Sequence, residues 1–282
     1  MRHKLILIFV FCLLIIGTIY GYYYHSWKYL WVVENPISFY DIPEKNDDTL
    51  RVLMIGDSWV GIHNELQMDT FLCLELEKRI SCPVKVVSKG KGGEKSRGIY
   101  QLMFQTEGYG TKTLFLAGVD YCIVSAGIND AAANLGTKQF CAHYRMILDF
   151  LIAKGIRPVI IEIPDVDIWN IYGDKPPKDL LADFLRSTMT RCWMYHFHEY
   201  REALNAMLQN QNLMSRVVIV PMTTWNGEGV KQNPSLFLAD KIHLNLEGYE
   251  KLDECIAKAI ACDLQQVQDT AIVYQSMYKD AE

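Results

Sequence analysis

Arg51-Val52-Leu53-Met54-Ile55-Gly56-Asp57-Ser58-Trp59 is the stretch that decides how this chain folds. Its apolar half has no polar alternation, as expected of a strand covered on both faces, and it breaks at once into a Gly-Asp-Ser turn. Four more Val- and Ile-rich runs of the same kind lie at 84–87, 121–125, 158–163 and 217–220. Helical patterns separate them at 65–78, around 98–105, at 138–154 and, as one long segment, near 180–208. A last helix is predicted over 247–264, with Asn245 as its cap. Such alternation predicts an α/β fold, a parallel sheet sandwiched by helices. Right-handed crossovers put the carboxyl ends of all strands on one edge, where such folds bind ligands. Ser58, the segment 88–93 and the segment 127–130 each follow a predicted strand and should share that edge.

The chain has 282 residues, 50% of them hydrophobic, enough to bury one full core. A net charge of -5 without any Lys/Arg block argues against a nucleic-acid partner. The amino terminus stands apart. Met1-Arg2-His3-Lys4 is basic, and residues 5–24 carry no charge, about the length needed to cross a membrane as a helix. A cleaved secretion signal is the competing reading, but signals have shorter apolar cores and exit through small residues. Here the exit is Tyr20-Gly21-Tyr22-Tyr23-Tyr24-His25-Ser26-Trp27, whose aromatic rings suit the lipid–water boundary. The expected organisation is therefore a membrane anchor over 1–24, a juxtamembrane linker over 25–50, one domain over 51–265 and a tail over 266–282. Positive charge ahead of the span predicts a cytoplasmic amino end and a domain on the exported side, periplasmic or extracellular. Eight cysteines, one of them (Cys12) in the span, show no C-x-x-C spacing; Cys73 with Cys82, or Cys255 with a partner, are candidate disulfides.

A serine hydroxyl needs a base to become a nucleophile, and histidine backed by a carboxylate is the usual one. Asp240-Lys241-Ile242-His243 offers both groups within one turn, just ahead of the last helix. The tetrahedral intermediate needs donors for its oxyanion. The Ser58 N–H, the Gly90-Lys91-Gly92-Gly93 loop and the Asn129 amide are the candidates.

Gly56-Asp57-Ser58, Gly92-Gly93, Gly127-Ile128-Asn129-Asp130 and Asp240-Lys241-Ile242-His243, in that order, resemble the motifs of the SGNH hydrolases, also called GDSL esterases. The likeness spans roughly residues 51–265. It implies a flavodoxin-like three-layer α/β/α sandwich with a five-stranded parallel sheet, and ester hydrolysis through an acyl-serine with neither metal nor organic cofactor. By that likeness Ser58 is the nucleophile, His243 the base and Asp240 its orienter. The oxyanion hole would use the Ser58 N–H, the Gly93 N–H and the Asn129 side chain. Gly93 is preferred to Gly92 by counting forward from Ser88, which stands at the family's usual Asn. Lys91 and Glu94 make this block unusually charged, and Gly61 falls one residue earlier than the glycine often seen after the serine motif. No G-x-S-x-G surrounds Ser58, so the α/β-hydrolase elbow is not the comparison.

Other residues carry weaker signals. His196 and His198 are two apart, so on a helix they point to different faces, a poor metal pair. His63, close to Ser58 in sequence, could line the pocket but reads first as a surface histidine. Asp165 and Asp167 could meet a sugar hydroxyl or merely solvate a loop, and Trp169, Tyr172 and Trp225 could stack on a sugar ring or pack in the core or at its rim. The expected function is a membrane-anchored serine esterase acting on a small-molecule or glycan ester, such as O-acetyl groups of envelope or surface glycans. Its rivals are a lipid esterase, an O-acyltransferase with the same triad, and a non-catalytic glycan-binding protein on this fold.

Overall fold

Five short runs rich in β-branched residues pair as parallel strands: β1 (Leu50–Gly56), β2 (Val84–Gly90), β3 (Tyr121–Ser125), β4 (Arg157–Ile161) and β5 (Val218–Val220). The computed structural model describes residues 2–31, 37–168, 174–227 and 233–279, with side chains over 2–27, 37–168, 174–227 and 233–266. Strand order is β2-β1-β3-β4-β5, and every neighbouring pair is parallel. The chain leaves β1 toward β2 on one side and returns to β3 on the other. That reversal opens a crevice at the carboxyl ends of β1 and β3, where folds of this order place ligands. All five residues of the central β3 are buried. Each fully buried aliphatic side chain contributes on the order of 2 kcal/mol, so the sheet centre is the rigid platform beneath that crevice.

Helices cover both faces. One layer holds α2 (Ser58–Glu65), α3 (Met68–Glu77) and α11 (Leu246–Lys279), which pack on one another and on β2 and β5. The other holds α4 (Ser96–Leu102), α6 (Ile128–Ala132), α7 (Thr137–Ala153) and α9 (Phe197–Asn210). Shorter helices are α5 (Lys112–Phe115) and α10 (Met222–Trp225), and α8 (Pro177–Thr190) precedes α9. Asn245 caps α11, its side-chain oxygen accepting from Gly248 N at 3.0 Å.

Several boundaries differ from the sequence expectation. The helix predicted over 65–78 is α3, which starts only at Met68 after a break from α2 at Gln67, whose φ of 58° is left-handed. The long helix near 180–208 is two helices, α8 and α9, broken where Arg191 and Tyr195 take positive φ. Neither break carries a Gly or Pro to announce it. Ser88 does not follow β2 but lies inside it, paired with Met54.

Before the domain, α1 (Arg2–Trp31) includes one stretch, Arg2–Trp27, long and apolar enough to cross a membrane. Its 26 residues rise about 39 Å as a helix, more than the hydrocarbon layer requires. From Ile37 onward the chain is docked on the domain. Ile37 N donates to Tyr100 Oη at 3.0 Å, Phe39 packs edge-on against Phe150, and Lys45 pairs with Asp120 at 2.7 Å. All eight cysteines are free, Cys73 donating to the Val84 carbonyl and Cys255 to that of Thr224, so neither candidate disulfide forms.

Candidate active site

The turn after β1 places Ser58 as the first residue of α2, where its N–H has no carbonyl partner within the helix. Asp57 caps the helix, its carboxylate accepting from Trp59 N at 3.1 Å. The end of β2 comes very close to this turn: a Cβ on Gly90 would sit 2.4 Å from the Asp57 carbonyl oxygen and 2.5 Å from Gly61 N. Only glycine allows that approach.

His243 reaches the same point from the other end of the chain. An antiparallel bridge between Phe237 and Leu244 closes a tight loop, with Leu238 N bonded to the His243 carbonyl at 2.7 Å. Inside it, Asp240 Oδ1 accepts from the backbone N–H groups of Ile242 (2.9 Å) and His243 (3.0 Å). Asp240 Oδ2 is left for His243 Nδ1, at 2.7 Å. On its far side, His243 Nε2 lies 2.8 Å from Ser58 Oγ. Partial burial disfavours the Asp240 charge, but the imidazole and the two backbone donors outweigh it and hold the carboxyl below its usual range. An ionised Asp240 assigns the proton to Nδ1, so Nε2 is the lone-pair nitrogen facing the serine hydroxyl.

Asn129 enters from β3. Gly127, with φ of +121°, is the residue before α6; a Cβ there would fall 2.4 Å from Ile163 Cδ1. Asn129 Nδ2 donates to Asp57 Oδ2 at 3.2 Å and to the Glu94 carbonyl at 2.9 Å. The amide is thus brought beside the turn that carries Ser58, with both hydrogens directed at protein acceptors. Asp57 is fully buried, and burial pushes its carboxyl up to about 7. Next to Asn129, Asp130 accepts from Ser96 N (2.9 Å) and Ser96 Oγ (2.6 Å), tying α6 to α4. Gly93 lies on an exposed turn with φ of +71°, pinned at its start by a bond from Lys91 N to the Gly56 carbonyl (3.0 Å). Lys91 and Glu94 pair across the turn at 2.7 Å.

Residues given weaker readings fall elsewhere. His63 is not at the surface; it is fully buried, between Asp69, Ser88 and Asp253. Trp225 is a core residue packed edge-on against Trp59 at 5.9 Å, not a stacking platform. Asp165 pairs with Arg201 at 3.2 Å, and Asp167 N bonds the Lys241 carbonyl at 3.1 Å, so the loop after β4 leans on the loop that carries Asp240 and His243. Trp169 and Tyr172 lie outside the described residues. His196 and His198 each face a glutamate of α9, Glu199 and Glu202. The Asp57–Asn129 and Asp130–Ser96 bonds had no signal in the sequence beyond the motifs themselves.

The match to known proteins agrees with this geometry. The model of the GDSL-like lipase/acylhydrolase family matches residues 55–251. The chain belongs to that family. It is thereby an ester-hydrolysing serine hydrolase, as the SGNH resemblance implied. Among curated proteins no match was found. Solved structures share the fold at low identity. One is the psychrotrophic esterase EstA from a Pseudoalteromonas species, inhibited by monoethylphosphonate (15% identity, TM-score 0.52, covering 78% of this chain and all of that one). Another is the acetyl xylan esterase AlAXEase (15% identity, TM-score 0.53, covering 75% of this chain and all of that one).

Proposed function

We propose that this family member hydrolyses acyl esters through an acyl-Ser58 intermediate, with His243 as general base and Asp240 as its orienter. The observation that carries the reading is the continuous relay from Asp240 Oδ2 through His243 to Ser58 Oγ, at 2.7 and 2.8 Å. The Ser58 proton passes to His243 Nε2 as Oγ bonds to the acyl carbon, whose π electrons move to oxygen. The Ser58 and Gly93 N–H groups and the Asn129 amide stabilise that oxyanion, Asn129 exchanging one of its present acceptors for it. Collapse expels the alcohol, which takes the proton from His243. Water then repeats the sequence on the acyl-enzyme and releases the acid.

The stretch Arg2–Trp27 serves as a membrane anchor that holds the domain on the exported side, with its amino end cytoplasmic. A tethered esterase in that position is suited to O-acetyl groups on envelope or surface glycans. The esterase activity named for a neighbour that acts on acetyl xylan supports this choice of substrate class. Acetate release from acetylated polysaccharide, with Ser58→Ala beside the wild type, tests it. Ser58-dependent release is the expected result; Ser58-dependent turnover of p-nitrophenyl acetate without release from any polysaccharide would refute the glycan assignment alone.

A further inference from the structure

Beneath the catalytic serine lies a second histidine that the reaction does not use. His63 sits on α2, five residues after Ser58, and is fully buried. Its Nε2 is 3.1 Å from both carboxylate oxygens of Asp253 on α11. Its Nδ1 is 3.2 Å from Asp69 Oδ1 on α3 and 3.3 Å from Ser88 Oγ on β2. Ser88 is itself occupied, donating from Oγ and from N (2.9 Å) to the Asp69 carboxylate. Tyr249 of α11 packs edge-on against the imidazole at 5.7 Å.

The donor count decides the charge. Nε2 faces the Asp253 carboxylate, and Nδ1 faces Ser88 Oγ, whose own hydrogen goes to Asp69, so both ring nitrogens act as donors. Burial alone would push the His63 pKa down, but the bonds to Asp253 and Asp69 more than offset it and raise it to about 9. Glu75, the remaining acid acting on Asp253, is itself paired with Lys78 and Arg79.

The cluster connects the two helices that matter for the reaction. Ser58 begins α2, and α11 begins three residues after His243. Two ties join them: Tyr249 Oη donates to the Trp59 carbonyl at 2.8 Å, and His63 holds Asp253 one turn further along. We propose that His63 is a positioning residue, whose buried cation locks α2 to α11 and α3 and so sets the Ser58–His243 distance. The proposal rests on Ser58 and His243 being nucleophile and base, and it adds the device that fixes their separation. No cation at 63 means the buried Asp253 carboxylate and the half-buried Asp69 carboxylate with nothing between them, and helices free to part.

The test measures, on the full chain, kcat and KM for p-nitrophenyl acetate and the rate of Ser58 labelling by a fluorophosphonate from pH 6 to 10. Wild type, His63→Gln, Asp253→Asn and Ser58→Ala are compared. In folded His63→Gln, kcat and the labelling rate should fall about 10- to 100-fold with KM within about twofold, the scale of a small misplacement of reacting groups. The wild-type rates should decline above pH about 9, where His63 loses its proton. That decline should move to lower pH in Asp253→Asn, which removes one of the two supporting charges; this arm stands even if His63→Gln does not fold. A merely structural histidine would leave the alkaline limb in place. Equal kcat in wild type and His63→Gln, or an alkaline limb unmoved by Asp253→Asn, overturns the proposal while leaving the triad intact. Full turnover by Ser58→Ala instead overturns the triad reading, and the positioning role with it.

Discussion

The side-chain amide of Asn129 donates to the carboxylate of Asp57 across 3.2 Å, joining the residue before Ser58 to the candidate oxyanion donor. Asp57 also caps α2 through Trp59 N. One buried carboxyl therefore orients both the helix that presents Ser58 and the amide that would meet the oxyanion. In Asp57→Asn, the new side chain can cap α2 with its oxygen, which leaves its NH2 facing the NH2 of Asn129. The expected outcome is a kcat lower by about 10- to 100-fold with KM nearly constant, less than the full loss of an oxyanion donor. Steady-state kinetics on p-nitrophenyl acetate read it, and an unchanged kcat would remove the Asp57–Asn129 bond from the catalytic account.

The same carboxyl has a signature in stability. Burial raises Asp57 from 3.8 to about 7 in the folded chain, so the folded state binds a proton that the unfolded chain releases. Stability contributed at that site is then greatest below pH about 4 and is lost as pH rises through about 7. Urea unfolding of wild type and Asp57→Asn from pH 4 to 8 should show the wild type losing ground to the variant across that window. Parallel curves would mean that Asp57 titrates as an ordinary carboxyl.

Asp240→Asn keeps the loop shape but presents an amide to His243 Nδ1. An amide nitrogen there favours the tautomer with its proton on Nε2, the wrong one for taking the Ser58 proton. The expected loss in kcat is about 10^3- to 10^4-fold near neutral pH, with the folded state retained. A loss under about tenfold would show that the carboxylate is not needed behind the imidazole.

Gly127→Ala tests the entry of Asn129 into the site. The position combines φ of +121° with a Cβ clash against Ile163 and Phe140. A destabilisation of about 1 to 3 kcal/mol in denaturant unfolding is expected, together with lowered activity as α6 shifts. Wild-type stability would contradict the packing described here.

The sheet was legible because strand runs are local signals, and the meeting of Ser58 with Asp240 and His243 because the four motifs occur together in the order of the SGNH resemblance. Strand runs keep their meaning without tertiary context, whereas a Gly-Asp-Ser turn or an Asp-x-x-His loop gains its meaning only beside the other motifs. The helix breaks at Gln67 and at Arg191–Tyr195 were not legible, since ordinary residues there adopt left-handed backbone that only surrounding packing selects. The His63 cluster was missed for the same reason: Asp253 lies 190 residues away and meets it only through helix packing. One clue was present, because Asp253 interrupts the apolar stripe of Tyr249, Leu252, Ile256, Ala257 and Ile260. A charge on the buried face of a helix needs a partner, and His63 supplies it.

The most direct measurement is mass spectrometry of the folded full-length chain after reaction with a fluorophosphonate, with the modified peptide sequenced. A single adduct on Ser58, absent when His243 is replaced by alanine, is the predicted result. An adduct on another serine, or none on folded protein, would contradict the reading of Ser58 as an activated nucleophile.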